Sequence, residues 1–175
     1  AEKHAHGRPT ASFGRRTYCQ NHIKEHLNHH DMEMDVYHKL LENGIRPSAQ
    51  RLAIMNFLLT HPTHPTVDEV YQGLCNEIKT LSRTTVYNTL RMFAEKNLAQ
   101  MITINEHHVC YDGCISPHKH FYCNRCGHVF DIFDDTSAEL PKEMNIDGHQ
   151  VLETQVYYRG ICKKCLNNTA GQDSN

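Results

Sequence analysis

His118-Lys119-His120-Phe121-Tyr122-Cys123-Asn124-Arg125-Cys126 sets two kinds of metal ligand side by side, and the rest of the chain is read outward from it. Cys123 and Cys126 form a Cys-x2-Cys pair, and Cys162-Lys163-Lys164-Cys165 repeats the spacing. Four thiolates in two such knuckles suit a closed tetrahedral structural zinc site, because the turn after each first Cys lets both sulfurs reach one ion. The separation between the knuckles leaves room for a strand and a helix. His118 and His120 alternate, which on a strand points both imidazoles to one face. Whatever they bind is held beside a rigid anchor. The competing readings are four small buried hydrophobes and a surface strand. Paired spacing argues against the first, and the adjoining knuckle against the second.

At 175 residues the chain is long enough for one ordinary core or two small ones. The pattern favours two. No apolar run is long enough to span a bilayer and no charged-then-apolar signal segment opens the chain, so the expected compartment is the cytoplasm and no membrane partner is expected. Eight Cys arranged partly as Cys-x2-Cys knuckles fit metal binding in a reducing compartment better than disulfides. The net charge of -2 excludes a uniformly basic nucleic-acid binder. Its distribution is uneven: residues 1–100 carry 12 Lys and Arg against 10 Asp and Glu, and residues 101–175 carry 6 against 10. DNA binding by the N-terminal part alone is compatible with that balance. Fifteen His is the strongest compositional pointer to metal chemistry.

Residues 1–30 contain Gly7, Pro9 and Gly14, collect His4, His6, His22, His26, His29 and His30, and show no sustained apolar period. They read as a flexible, His-rich extension. From Met32 to Asn43, Val36, Leu40 and Leu41 recur at helical spacing, with Gly44 as the stop. Ser48 caps a second helix running to Leu59, with Leu52, Met55 and Leu59 as its stripe. His61-Pro62-Thr63-His64-Pro65-Thr66 ends it, and Thr66 with Glu69 makes a capping box for a third helix carrying Val67, Val70, Tyr71, Leu74 and Ile78. Ser82 opens a fourth, with Val86, Leu90 and Phe93 inward and Arg83, Thr84, Thr85, Tyr87, Asn88 and Arg91 outward. Those outward types reach phosphates and base edges. On spacing alone the face fits either a DNA reader or an ordinary solvated helix. Ala99–Ile104 and His108–Asp112 alternate as a hairpin, completing a winged helix over residues 31–113.

Residues 114–166 read as a small α/β domain pinned by the four-cysteine zinc site. Strands are expected at His120–Tyr122, Val129–Phe133 and Gln150–Tyr158, with a short helix between Thr136 and Asn145. Its apolar strands exceed what so small a unit can cover, so dimerisation through it is expected. Residues 167–175 are polar and read as a disordered tail. The fold class is α+β.

These features, in this order, resemble the ferric uptake regulator family over about residues 33–166. The resemblance rests on Arg46 to Arg51 with Gln50-Arg51, and on His64-Pro65-Thr66 leading into Asp68-Glu69-Val70-Tyr71. It rests also on Thr84-Thr85-Val86-Tyr87-Asn88-Thr89-Leu90, and on the His-x-His-x2-Cys-x2-Cys-Gly stretch with its distant second knuckle. It implies a homodimeric, metal-dependent repressor of a double-stranded DNA operator, not an enzyme. By resemblance a regulatory metal site falls on His64, Asp112, His118, His120 and Asp131. Three imidazoles and two carboxylates suit Fe(II), Mn(II) or Zn(II) rather than Ca(II). DNA contacts fall on Arg46, Arg51, Ser82, Thr84, Tyr87, Asn88 and Arg91.

Asp at both 112 and 131 resembles the peroxide-responsive branch, in which iron-catalysed oxidation of a ligand histidine releases DNA. His64 and His118 are then the oxidation candidates. Iron- and zinc-uptake regulation are the alternatives within the family. Lys119 and Thr154 stand where a further site of iron-type members would need Asp and His. Cys110 and Cys114, flanking Asp112, depart from the family pattern, and either inert thiols or thiols that tune the site would fit. A metal buffer would not need the Arg/Asn/Tyr face, and the open metal with a Glu general base that a zinc hydrolase or deaminase needs, as in His-x-Glu with Pro-Cys-x2-Cys, is missing from the sequence.

Overall fold

The computed structural model describes residues 29–105, 108–134, 144–152 and 154–168. Four helices come first: α1 (His29–Glu42), α2 (Ala49–Thr60), α3 (Val67–Leu74) and α4 (Arg83–Glu95). Residues 1–28 of the expected extension lie outside the described residues, and α1 begins at His29. It stops where Gly44 adopts φ 71. There the Gly44 amide donates to Leu41 O at 2.9 Å and the Ile45 amide to Leu40 O at 2.9 Å, closing the last turn. Val36 and Leu40 are fully buried, whereas Leu41, expected beside them, is 47% exposed. One residue of helix turns a side chain by about 100°, enough to carry Leu41 off the narrow buried stripe.

Ser48 caps α2 through the Arg51 amide at 3.3 Å. The buried stripe is Ile54, Met55 and Leu58, so the expected stripe of Leu52, Met55 and Leu59 is rotated, with Leu52 and Leu59 only half-buried. The capping box of α3 is complete: Thr66 N donates to Glu69 Oε2 at 2.7 Å, and Glu69 N to Thr66 Oγ1 at 3.2 Å. This helix ends at Leu74, so Ile78 reaches the core from the following turn instead of from the helix. Gly73 lies against the Phe57 ring so closely that a Cβ there would overlap it. Ser82 caps α4 through the Thr85 amide at 3.1 Å, and Val86, Thr89, Leu90 and Phe93 face the core.

Strands β1 (Gln100–Asn105) and β2 (His108–Asp112) form the antiparallel wing, with Ile102 opposite Cys110 and Gln100 opposite Asp112. Successive residues point to opposite faces. Tyr111 and Val109 pack into the helical core, while Ile102, Ile104 and Cys110 form a second apolar cluster on the other side. A bridge between Thr66 and Cys110 and a bond from the Tyr111 amide to Pro65 O at 3.0 Å fasten the loop before α3 to the wing.

The C-terminal part holds a three-stranded sheet in the order β4 (Val129–Ile132), β3 (Lys119–Cys123), β7 (Tyr157–Gly160), antiparallel then parallel. A separate hairpin joins β5 (Met144–Ile146) to β6 (His149–Val151), and α5 (Lys163–Asn167) follows the sheet. Two expectations are corrected here. Gln150–Tyr158 is not one strand: β6 ends at Val151 and β7 starts at Tyr157. The break lets β6 return to β5 while β7 joins β3. The helix expected at Thr136–Asn145 falls largely on residues 135–143, outside the described set, but Met144 and Asn145 are strand. Asp147 and Gly148, at φ 51 and 82, make the two-residue turn that closes that hairpin.

Candidate metal centres

Cys123 ends β3, and the Gly127 amide donates back to Cys123 O at 2.9 Å, with Gly127 at φ 72. This turn carries Cys126 round beside Cys123. Parallel pairing sets Cys123 opposite Gly160, and the Asn124 amide bonds to Gly160 O at 2.8 Å, so the chain leaving β7 delivers Cys162 and Cys165 to the same place. One sulfur from each of the four lies within 4.8 Å of the others. Cys126 Sγ and Cys162 Sγ are 3.9 Å apart. Zinc–sulfur bonds of about 2.3 Å imply tetrahedral edges of about 3.8 Å, whereas a disulfide requires about 2.05 Å. The donor set therefore fits zinc.

The electrostatics point the same way. Burial opposes ionisation of Cys123, but the amides of Cys162, Cys126 and Arg125 outweigh it and bring its pKa down to about 6. Hydrogen bonding to Cys162, together with burial, pushes Cys165 up to about 12. One thiolate is favoured and its neighbour keeps its proton, which is how crowded thiols behave until a cation neutralises them.

The second cluster draws on both halves of the chain. His64 comes from the loop before α3, Asp112 from the end of β2, His118 from the residue just before β3, His120 from β3, and Asp131 from β4. One ligand atom from each lies within 4.8 Å of all the others. His64 Nε2 is 2.6 Å from Asp131 Oδ1, and His118 Nε2 is 3.0 Å from Asp112 Oδ2. His120 Nε2 is 3.8 Å from the same two carboxylate oxygens. None of these approaches has hydrogen-bond alignment. His64 Nδ1 and Nε2, Asp112 Oδ2, His118 Nε2, His120 Nε2 and Asp131 Oδ1 are buried without a hydrogen-bond partner. Such atoms are costly unless a further group satisfies them, and the group this geometry fits is a cation.

The surroundings choose which atoms face the centre. His118 Nδ1 lies 2.7 Å from Ser116 O and donates its N–H to it, which leaves Nε2 to coordinate. Asp112 Oδ1 accepts from the Cys114 amide at 2.9 Å, leaving Oδ2. Phe133 stacks on His118 at 4.9 Å and Tyr157 on His120 at 5.9 Å. Neither ring was singled out from sequence, although Tyr157 stands opposite His120 in the sheet register. His64 sits at φ 54, a left-handed conformation that strains a residue with a Cβ by about 1–3 kcal/mol. The Pro65 and Thr66 contacts to β2 hold it there.

Burial opposes charge on His118, but the carboxylates of Asp112 and Asp131 outweigh it and raise its pKa to about 10. Burial likewise pushes Asp131 up, and His118 with His64 more than reverses this, leaving its carboxyl well below the usual range. Burial lowers His120. Cys110 and Cys114 fall outside both clusters: Cys110 is buried, with its pKa raised by burial, and Cys114 is disulfide-bonded.

On the outer face of α4, Thr84, Tyr87, Asn88 and Arg91 are exposed, with Arg91 Nε 2.9 Å from Glu95 Oε1. Arg83 is drawn aside, paired with Asp68 and lying 4.4 Å over the Tyr71 ring. The hydroxyl of Ser82 is engaged as the helix cap. Arg51 Nη1 donates to Arg46 O at 2.6 Å, which places both arginines at the start of α2.

A winged helix joined through a nitrogen-and-oxygen cage to a thiolate-pinned sheet defines a metalloregulator. The chain belongs to the ferric uptake regulator family, whose sequence profile matches residues 42–159. Members of this family are transcriptional regulators rather than enzymes. The peroxide-responsive repressor of Staphylococcus saprophyticus subsp. saprophyticus is 32% identical over 142 residues, covering 78% of this chain and 92% of the relative. The peroxide stress regulator of Campylobacter jejuni superposes with a TM-score of 0.53 at 28% identity, over 75% of this chain and 97% of that one. The ferric uptake regulator of Helicobacter pylori, described with three functional metal binding sites, shares the fold at a TM-score of 0.57 and 18% identity, over 82% and 97% of the two chains. Among the described residues no helix is long and apolar enough to cross a membrane.

Two outcomes follow. Cys126→Ser opens one corner of the thiolate cage, and since binding energy in such sites is folding energy, the purified protein should lack zinc by metal analysis and aggregate or dissociate. A stable, zinc-free protein of unchanged size would contradict a structural role. The second outcome concerns protons. In the metal-free protein His118 is charged at pH 7; the stability this confers is complete below about 6.5 and is lost as pH rises through about 10. A divalent ion must displace that proton, so Mn(II) affinity should climb about tenfold per pH unit between pH 7 and 9, with about one proton released per ion. A flat profile would show that His118 carries no proton for the ion to displace.

Proposed function

We propose that this chain is a metal-dependent repressor that binds a double-stranded DNA operator as a homodimer and senses hydrogen peroxide through oxidation of His64 or His118. The observation that carries the reading is the convergence of five buried donors from both halves of the chain, with no hydrogen bonds to satisfy them. An ion shared by His64, Asp112, His118, His120 and Asp131 fixes the sheet against the winged helix. In a dimer that fixes the spacing of the two α4 helices, which must match successive major grooves. Asp at both 112 and 131, and the likeness to peroxide-responsive regulators at 32% and 28% identity, support peroxide as the signal.

When bound, ferrous iron supplies the electrons that reduce peroxide and so generates the oxidant beside the imidazoles. The residues do the rest. Five donors from His64, Asp112, His118, His120 and Asp131 would leave one position open on an ion that takes six. His118, with its ring held between Ser116 O and Phe133, cannot swing away. His64 is held by its backbone, through the contacts of Pro65 and Thr66 with β2. Oxidation of either removes a donor, and loss of His64 weakens the ion's hold on the winged helix. Thr84, Tyr87, Asn88 and Arg91 then lose their fixed spacing on DNA, as do Arg46, Arg51 and Ser82 at the flanks. Cys123, Cys126, Cys162 and Cys165 hold zinc permanently. The exposed apolar side chains Phe130, Ile146, Leu152, Tyr158 and Ile161 offer the surface for a second copy.

The test is brief peroxide treatment of protein loaded with Fe(II) without air, followed by peptide mass spectrometry and a DNA-binding assay. One added oxygen on the peptide containing His64 or His118, coincident with DNA release and missing from the Mn(II) form, is expected. DNA release with Cys110 oxidised instead would make the sensor a thiol switch. No oxidation, with DNA binding that follows iron supply, would replace this reading with iron-uptake regulation.

A further inference from the structure

The two sheets that supply the cage meet in a second, apolar row alongside it. On β3 and β4 the pairs His120–Asp131 and Tyr122–Val129 are consecutive on one face, because residues two apart in a strand share a face. On β2, Asp112 and Cys110 share a face for the same reason, and Ile102, opposite Cys110, and Ile104 continue it on β1. One row of each sheet therefore carries ligands, and the next carries hydrocarbon. Ile102 is 1% exposed, Ile104 4% and Cys110 9%, and the groups packed on them are Tyr122, Val129 and Tyr157. Gln155 Nε2 adds a bond across the seam to Met101 O at 3.2 Å. A hairpin projecting freely from a winged helix would leave these isoleucines in water.

We propose that this seam is a metal-independent latch, in which Ile102, Ile104 and Cys110 dock on Tyr122, Val129 and Tyr157 and position the cage for its ion. The inference rests on the reading of the cage as a regulatory metal site and adds to it a set of positioning residues that touch no metal. Without the seam, an ion arriving at His118, His120 and Asp131 would also have to gather His64 and Asp112 from a separately moving body. With it, the closed arrangement is partly populated before the ion binds and the ion completes it, so affinity rises accordingly. The latch thus sets the metal concentration at which the protein responds.

The experiment uses the full chain with its zinc retained, stripped of the second metal, and Mn(II) alone as the probe. Ile104→Ala and Val129→Ala should each weaken Mn(II) binding about tenfold, within the usual range of coupling between sites. The double variant should lose little more than the worse single one, because either truncation opens the same seam. Val109→Ala, on the opposite face of the wing against the helical core, should leave Mn(II) affinity unchanged, which separates the latch from general loosening of the hairpin. A second readout needs no metal: in the metal-free protein Cys110 should react slowly with a maleimide, and faster in Ile104→Ala, by peptide mass spectrometry. Unchanged Mn(II) affinity in Ile104→Ala would overturn the proposal. So would Cys110 reacting equally fast in the metal-free parent and in that variant. If the parent binds no Mn(II), the metal reading fails on its own, and the Cys110 rates alone decide whether the seam is closed.

Discussion

Three imidazoles and two carboxylates crowd together out of reach of water, and they approach one another without forming aligned hydrogen bonds. A buried polar group left in that condition costs roughly 1–3 kcal/mol; pairing of a charged His118 with Asp112 and Asp131 offsets part of this, and the rest is a liability that ordinary packing would have removed. A divalent ion reverses the sign, since one atom from each of the five residues becomes its ligand. The two halves of the chain each supply part of the cage and neither supplies enough. That division would make an ion bound there a structural link between the element that carries α4 and the sheet that presents the apolar surface. A site built wholly on the sheet would bind metal and transmit nothing.

The zinc knuckles matter for the same reason at one remove. They pin the far end of β3 to the turn after β7, which fixes the register that sets His120 opposite both Asp131 and Tyr157. The two centres thus divide the work according to ligand type. Soft thiolates suit a closed shell around a permanent ion, whereas imidazole and carboxylate suit an open, exchangeable site at the other end of the same strand. The apolar seam lies between the wing and the same sheet face, so polar and apolar rows act on one hinge.

Much of this was legible in residue chemistry of short range. Ser48, Thr66 with Glu69, Ser82 and Gly44 mark helix ends through their own hydrogen bonds and φ, and all four ends lie where those residues stand. The Cys-x2-Cys repeats speak through spacing alone. What depended on packing was less visible. Leu41 and Leu52 have the right period, but the angular width of the buried stripe is set by neighbouring helices. The strand expected through Gln150–Tyr158 is continuous in composition; pairing partners break it, and the Asp147-Gly148 turn signal beside it was the available hint. The cage set came from resemblance, because His64 and His118 are far apart in the chain and no local pattern joins them. The left-handed backbone at His64 and the rings of Phe133 and Tyr157 are properties of the assembled site.

The central claim is that one ion is held jointly by both halves of the chain. Pulsed electron paramagnetic resonance on the Mn(II)-loaded, zinc-containing protein counts coordinated imidazole nitrogens directly. Three are predicted for the parent protein, falling to two in His64→Ala, with specific DNA binding lost in step. A count that His64→Ala leaves unchanged would mean the ion sits on the sheet alone, and the account of how metal reaches the DNA-binding helix would be wrong.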